Sequence, residues 1–302
     1  MDMIQYLKGV NNMNKFKMIL ITVFFIGLTF ICTGCANDDM QDINIIVTNY
    51  PNEYIVSKLY GDYSKITSVY PDGVKTEEYK ISNKSKKEYA TSGLFVYNGL
   101  IEKERSLAVD LLDMNSNLKI IDTAYVLETD FSTEELWLEP SSLLMMAQNV
   151  RIGLEEYITS TVLEKEIDEK YEELKVELSE LDAEYRLEVQ NAENKKIVVA
   201  NASLKYLEKF NFEVYCIDSD ATDKTINEVN QMIANNEINY IYIFKNDEIN
   251  DRAQEILNTH ENLKTLSLHK LDNITDEERD NDEDYVSIMK KNLDELKKEL
   301  YQ

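Results

Sequence analysis

The strongest constraint on the fold is an alternation that occurs twice. Short apolar runs rich in β-branched and aromatic residues recur at 43–49 (INIIVTN), 66–70, 94–98 (LFVYN) and 118–124 (LKIIDTA). They recur again at 196–200, 212–217 (FEVYCI), 239–244 (NYIYIF) and 263–268 (LKTLSL). Helical patterns fill the spaces between. Pro51 opens one that Gly61 stops, and others cover 83–91 and about 101–114 in the first set. In the second set they cover about 202–210, 223–236 and 248–258, with a last one from Tyr285 to about Leu300. Strands this short and apolar, with a helix between successive members, cannot close as hairpins. They need crossover connections, and so predict parallel sheets covered by helices. Pro71-Asp72-Gly73 reads as a turn, and the acidic stretch 273–284 as a solvated loop.

Between the two sets the period changes. Ile167, Tyr171, Leu174, Leu178, Leu181 and Tyr185 are spaced by fours and threes among Glu and Lys, which predicts one long helix with a single apolar seam. Such a seam serves either a coiled-coil dimer or packing on the helix's own domain, and globular flanks favour the second. The expected architecture is a βα lobe, a long helix and a second βα lobe.

Composition narrows the function. The 302 residues are 43% hydrophobic and 29% charged, as in a globular protein with a real core. A net charge of −25 speaks against a nucleic-acid partner, which needs clustered Lys and Arg. With only His260 and His269, no site built on several histidines can form in one chain. No G-x-S-x-G, Walker, H-E-x-x-H or dinucleotide motif occurs, and Glu77-Glu78 and Glu172-Glu173 are sequence neighbours that point apart, so no enzyme is expected.

The N-terminus reads as an address. Lys8, Lys15 and Lys17 precede an apolar run at 18–32, too short for a spanning helix, and MNKFKM from Met13 makes a tidy start to an export signal. Thr33-Gly34-Cys35 resembles a bacterial lipobox, with Cys32 in place of the usual Leu. That resemblance implies a signal peptide over 1–34, a lipidated Cys35 and a tether over 35–42. A plain signal peptide or an uncleaved anchor is the alternative. Cys216 then has no partner for a disulfide, and in FEVYCI it reads as a packed small residue rather than a nucleophile.

Six segments, in order, resemble the substrate-binding lipoproteins of zinc and manganese ABC transporters. They are GVKTEEYKIS (73–82), LFVYNG (94–99), TEELWLEP (133–140), VVANASLKYL (198–207), DSDAT (218–222) and DYVSIMKKNLDELKKEL (284–300). The resemblance implies an α/β fold of the metal-receptor type, in which two βα lobes with parallel sheets are joined by one long rigid helix. The N-terminal lobe would span 43–160, the helix 161–192 and the C-terminal lobe 193–302. It also implies a monomeric, membrane-anchored receptor on the extracellular face of a Gram-positive-type bacterium, delivering a divalent metal ion to an ABC permease. The alternative is an accessory lipoprotein that keeps the fold and has lost the metal.

The family's ligands are mainly three His and a carboxylate. Carried over by position, they fall on Glu77, Glu135, Asn201 and Asp272, with His269 as the rival of Asp272. All three His are replaced. An all-oxygen set suits a hard ion such as Mn²⁺ or Ca²⁺ better than Zn²⁺. The competing readings are that the set has decayed and its Glu residues simply face water, or that zinc is still held through His269 and carboxylates. Trp137 reads as core rather than as a ligand platform.

Overall fold

A computed structural model describes residues 40–301; the expected export segment and Cys35 lie outside the described residues. Each set of four apolar runs forms one parallel sheet. β1 (Asn44–Val47), β2 (Lys65–Ser68), β3 (Leu94–Tyr97) and β4 (Lys119–Asp122) lie in the order β2-β1-β3-β4. β5 (Lys196–Val199), β6 (Glu213–Cys216), β7 (Tyr240–Phe244) and β8 (Lys264–Leu268) repeat it as β6-β5-β7-β8. Ile45 pairs with Ile66 on one side and Leu94 on the other, so β1 is central, and its Ile45, Ile46 and Val47 are buried, as in a strand covered on both faces.

The N-terminal lobe carries α1 (Tyr50–Tyr60), α2 (Asn83–Tyr89), α3 (Glu102–Met114), α4 (Glu135–Leu138) and α5 (Pro140–Tyr157). A 31-residue helix, α6 (Thr161–Asn191), leads to the C-terminal lobe. That lobe holds a 3₁₀ helix (Ala202–Phe210), then α7 (Asp223–Ala234), α8 (Asp251–Thr259), α9 (Asp276–Asp280) and α10 (Tyr285–Leu300). Ser160 caps α6 by accepting the Leu163 N–H. The α6 seam, from Leu163 through Leu178 and Leu181 to Val189, is buried against α1, α5 and α10 of its own chain, so it is not free for a coiled coil.

One apolar cluster runs from β1 and α1 through Trp137, α5 and α6 to Phe210, Tyr285 and α10. It crosses between the lobes. Prising them apart would expose several of these side chains, each worth roughly 1.5–3 kcal/mol when buried. Large hinge motion is therefore disfavoured.

Three local features differ from the sequence expectation. The sequence pattern assigns no element to 140–157, where the structure has α5, opened by Pro140 and with Leu143, Met146, Ala147, Val150 and Leu154 as its buried stripe. Residues 202–210 are 3₁₀ rather than α; Leu204, Leu207 and Phe210 are buried at a spacing of three, which that geometry stacks on one face. Within the acidic stretch 273–284, α9 forms because Thr275 and Glu278 make a reciprocal capping box, and acidic side chains in a first turn suit the helix dipole.

Candidate functional site

In open parallel sheets a crevice forms beyond the carboxyl ends of the strands where the strand order reverses. Here that point lies between β1 and β3 in one lobe and between β5 and β7 in the other. The two lobes furnish it alike. After β1, Asn49 caps α1 through the Asn52 N–H (3.1 Å) and donates from Nδ2 to Glu104 (3.2 Å). After β5, Asn201 caps the 3₁₀ helix through the Ser203 N–H (2.9 Å) and reaches Asp247 Oδ2 from Nδ2 (3.4 Å).

Glu104 is fully enclosed. It accepts from Thr48 Oγ1 (2.5 Å) and from the Asn98 N–H (2.8 Å) besides Asn49. Burial pushes its carboxyl up and these donors offset only part of that, leaving it at about 7.

The segment after β8 crosses from the C-terminal lobe to the N-terminal lobe. Asn273 Nδ2 donates to the carbonyls of Pro71 (2.8 Å) and Val74 (2.9 Å), and Gly73, at φ +73°, donates its N–H to the Ile274 carbonyl (2.8 Å). Arg279 pairs with Glu53 (2.7 Å) and Asp72 (2.5 Å). Trp137 Nε1 donates to the Lys270 carbonyl (2.8 Å), and buried Leu271 is held at φ +59°. That left-handed conformation costs a branched residue about 1–2 kcal/mol, so the surrounding bonds must impose it.

This stitching sets the Lys270 side chain in the interlobe cleft. Its ammonium lies 2.5 Å from Glu77 Oε1 and 3.5 Å from Glu134 Oε1. Glu134 also accepts from Ser203 Oγ (3.2 Å). Asp272 accepts from Thr76 Oγ1 (2.9 Å). Burial alone would lower Lys270, but the Glu77 hydrogen bond and the charges of Asp272 and Glu134 raise it well above the ordinary lysine range. Burial likewise pushes Glu77 up, and the Lys270 contact outweighs it and holds the carboxyl low. Asp272 and Asp247 are both raised, chiefly by burial, with Lys270 opposing and Glu77 adding to the rise. Glu77 and Glu134 thus contact the Lys270 ammonium, Asp272 and Asp247 act on it by charge, and Lys103 and Lys75 act on Glu77 and Asp247 in turn. Beside them is a cavity of about 330 Å³, lined by Tyr70, Ile101, Glu104, Trp137, Lys270 and Asp272 among others.

The structure brings Glu77 and Asp272 to this cluster, and Asn201 borders it through Asp247. It does not bring Glu135. That side chain is 1% exposed and is spent on the N–H groups of Asp130 and Phe131 (3.1 Å each) and on Lys209. Its neighbour Glu134 faces Lys270 instead. His269 accepts the Leu271 N–H at Nδ1 (2.9 Å) and sets Nε2 3.3 Å from Glu278; burial lowers it, and the ring braces the crossing segment. Trp137 is core at 2% exposed. Cys216 is a free thiol that burial pushes up to about 12, which makes it a poor nucleophile. Sequence reasoning missed Lys270, Glu134 and Asp247. As the side chains stand, no three His, Cys, Asp or Glu among the described residues are gathered to hold a metal ion. The cleft carboxylates are arranged around an ammonium.

The family model for the zinc-uptake complex component A, periplasmic (ZnuA), matches residues 45–299. The chain belongs to the ZnuA family. Its members are solute-binding components of metal ABC transporters rather than enzymes. The zinc-binding lipoprotein AdcA of Streptococcus pneumoniae R6 is 25% identical over 316 residues, which cover 94% of this chain and 61% of AdcA. The chain thus spans about three fifths of the length of that relative. The high-affinity zinc uptake system protein ZnuA of Bacillus subtilis is 22% identical over 299 residues, covering 88% of this chain and 90% of that protein. Among solved structures, the Zn(II)-bound ZnuA-like domain of S. pneumoniae AdcA superposes with a TM-score of 0.68 at 22% identity, over 86% of this chain and all of that domain. The metal-dependent lipoprotein YcdH of B. subtilis superposes with a TM-score of 0.70 at 18% identity, over 86% of this chain and all of its own. These likenesses establish the two-lobed fold of ZnuA-type receptors. No helix among the described residues is long and apolar enough to cross a membrane.

Proposed function

We propose that this ZnuA-family chain is the receptor of a metal-type ABC importer and takes a divalent cation into its interlobe cleft. One observation carries the reading: carboxylates from both lobes, Glu77 and Glu134 on one side and Asp247 and Asp272 on the other, are gathered around the Lys270 ammonium and outnumber it together with the neighbouring Lys75 and Lys103. A pocket with that surplus of negative charge is built for a cation. Glu134 takes the place that Glu135 was expected to fill, and Asn201 orients Asp247 as an outer partner. Oxygen donors alone favour a hard ion such as Mn²⁺ or Ca²⁺ over the Zn²⁺ that the relatives' names carry. The receptor is held as a monomer on the extracellular face by a lipid on Cys35, with lobes at 43–160 and 193–302 and the helix 161–192 between them. It hands its ion to a permease.

A second reading is favoured by the Lys270–Glu77 pair at 2.5 Å. On it, the ammonium is a permanent substitute for the ion, and the chain is an accessory lipoprotein. Melting curves of the chelator-treated protein with Mn²⁺, Zn²⁺, Ca²⁺ or Mg²⁺ separate the two. A ligand that binds only the folded state stabilises it by about 2.7 kcal/mol at a hundredfold excess over Kd. The receptor reading requires a selective rise in Tm that Glu77→Ala/Glu134→Ala abolishes. No rise with any ion would leave the accessory reading.

A further inference from the structure

We propose that Lys270 is a tethered competitor: its ammonium occupies the position that a divalent cation takes in the cleft, so an ion enters only by expelling it. The inference deepens the cation reading above and rests on it for the identity of the site.

Three observations carry it. The backbone beneath the side chain is pinned, by Trp137 Nε1 on the Lys270 carbonyl (2.8 Å) and by the Leu271 N–H on His269 Nδ1 (2.9 Å). Displacement must therefore be a swing of the lysine side chain rather than a movement of the loop or an opening of the lobes. The cavity of about 330 Å³ that Lys270 lines gives an expelled side chain room, and buried Glu104 stands in its wall. Finally, the ammonium is a charged donor 2.5 Å from Glu77 and 3.5 Å from Glu134 of the N-terminal lobe, and it also feels the charge of Asp272 from the C-terminal lobe. Removing its charge leaves Glu77 and Glu134 without the ammonium they contact and Asp247 and Asp272 without its compensating charge, and like charges so placed repel.

A side chain tethered this way acts at an effective concentration of millimolar order or above. A monovalent ion offers no more charge than the ammonium it must replace, and gains nothing by entering. A divalent ion adds a charge and accepts several oxygen donors at once. Lys270 thus sets both the affinity and the discrimination of the cleft: it excludes monovalent cations and weakens every divalent one.

The test is calorimetric titration of the purified protein with Mn²⁺, comparing wild type with Lys270→Met, Lys270→Arg and Lys75→Met. Lys75 also acts on Asp247 by charge, but its ammonium is exposed and lies 3.6 Å from Glu78, so its removal controls for losing a nearby positive charge without vacating the place of the Lys270 ammonium. Lys270→Met should bind Mn²⁺ at least about tenfold more tightly than wild type, a difference of about 1.4 kcal/mol. Lys270→Arg and Lys75→Met should stay close to wild type. Lys270→Gln, which keeps a polar tip towards Glu77, replaces Lys270→Met if the latter does not fold. Tight binding by the neutral variant beside a wild type that binds nothing would uphold the competitor and refute a wild-type cation receptor. A wild type that binds, with no gain in the neutral variant or an equal gain in Lys75→Met, would overturn the competitor and leave the receptor reading standing. Absence of binding in every variant would overturn both.

Discussion

Glu104→Gln isolates the most strongly perturbed carboxyl of the N-terminal lobe. Glu104 is 2% exposed, and burial raises it from 4.5 in the unfolded chain to about 7, despite donors from Thr48, Asn49 and the Asn98 amide. Because the folded value is the higher one, the native state holds the proton more tightly. The resulting stabilisation is complete below the unfolded value and is lost as pH rises through about 7. At 1.36 kcal/mol per unit, the loss across that window is about 3 kcal/mol. Glutamine has nearly the same shape and does not titrate. Urea denaturation of both proteins from about pH 4 to about pH 8 gives the unfolding free energy of each by linear extrapolation. Subtracting the Glu104→Gln curve from that of wild type cancels the other titrating groups. The difference should fall by about 3 kcal/mol with rising pH and level off above neutrality. A difference that is flat across the range, or that rises with pH, would refute the assignment of Glu104 as a desolvated acid.

Other substitutions separate scaffold from site. Glu135→Ala removes one of three carboxylates around Lys209, which keeps Asp130 and Glu139, and takes the shared acceptor from the Asp130 and Phe131 amides, so it should cost about 2 kcal/mol in urea melts. Any cation affinity of the cleft should change by less than about twofold, under about 0.4 kcal/mol. Trp137→Phe removes the indole hydrogen bond to the Lys270 carbonyl and should lower stability by about 1 kcal/mol. Val126 is 80% exposed and sits at φ +61°, a conformation that strains a β-branched residue; Val126→Gly should raise stability by about 1 kcal/mol in the same assay.

The residues that were legible in the sequence are those whose role is repetitive. Runs such as IIV and IVV between helical patterns read as covered strands, and the Leu174-Leu178-Leu181 spacing as a one-faced helix; α5 is equally regular from Leu143 to Leu154, yet the sequence reading assigns no element there. The acidic segment misled because solvated charge and a helix first turn look alike in composition. Only the Thr275–Glu278 spacing marks the capping box that tells them apart. At the site, Glu77 and Asp272 could be located by position in a pattern. The choice between Glu134 and Glu135 could not. Neighbours at a helix start point about 100° apart, and their partners, Lys270 and Lys209, lie far away in the chain. Lys270 was hidden in the same way: a long side chain declares its partner only once β8 and the crossing segment are placed. Asp247 had a faint signal, the likeness of Asn49–Glu104 to Asn201–Asp247 across the repeated sheets, which becomes meaningful only when the strand order is known.

The central claim, that the interlobe carboxylates form a cation site, is tested most directly by anomalous diffraction at the manganese edge from crystals grown with Mn²⁺. The account predicts one strong peak among Glu77, Glu134 and Asp272, with the Lys270 ammonium moved away from Glu77. A map with no peak in the cleft, or with Lys270 still seated on Glu77 at saturating Mn²⁺, would contradict it.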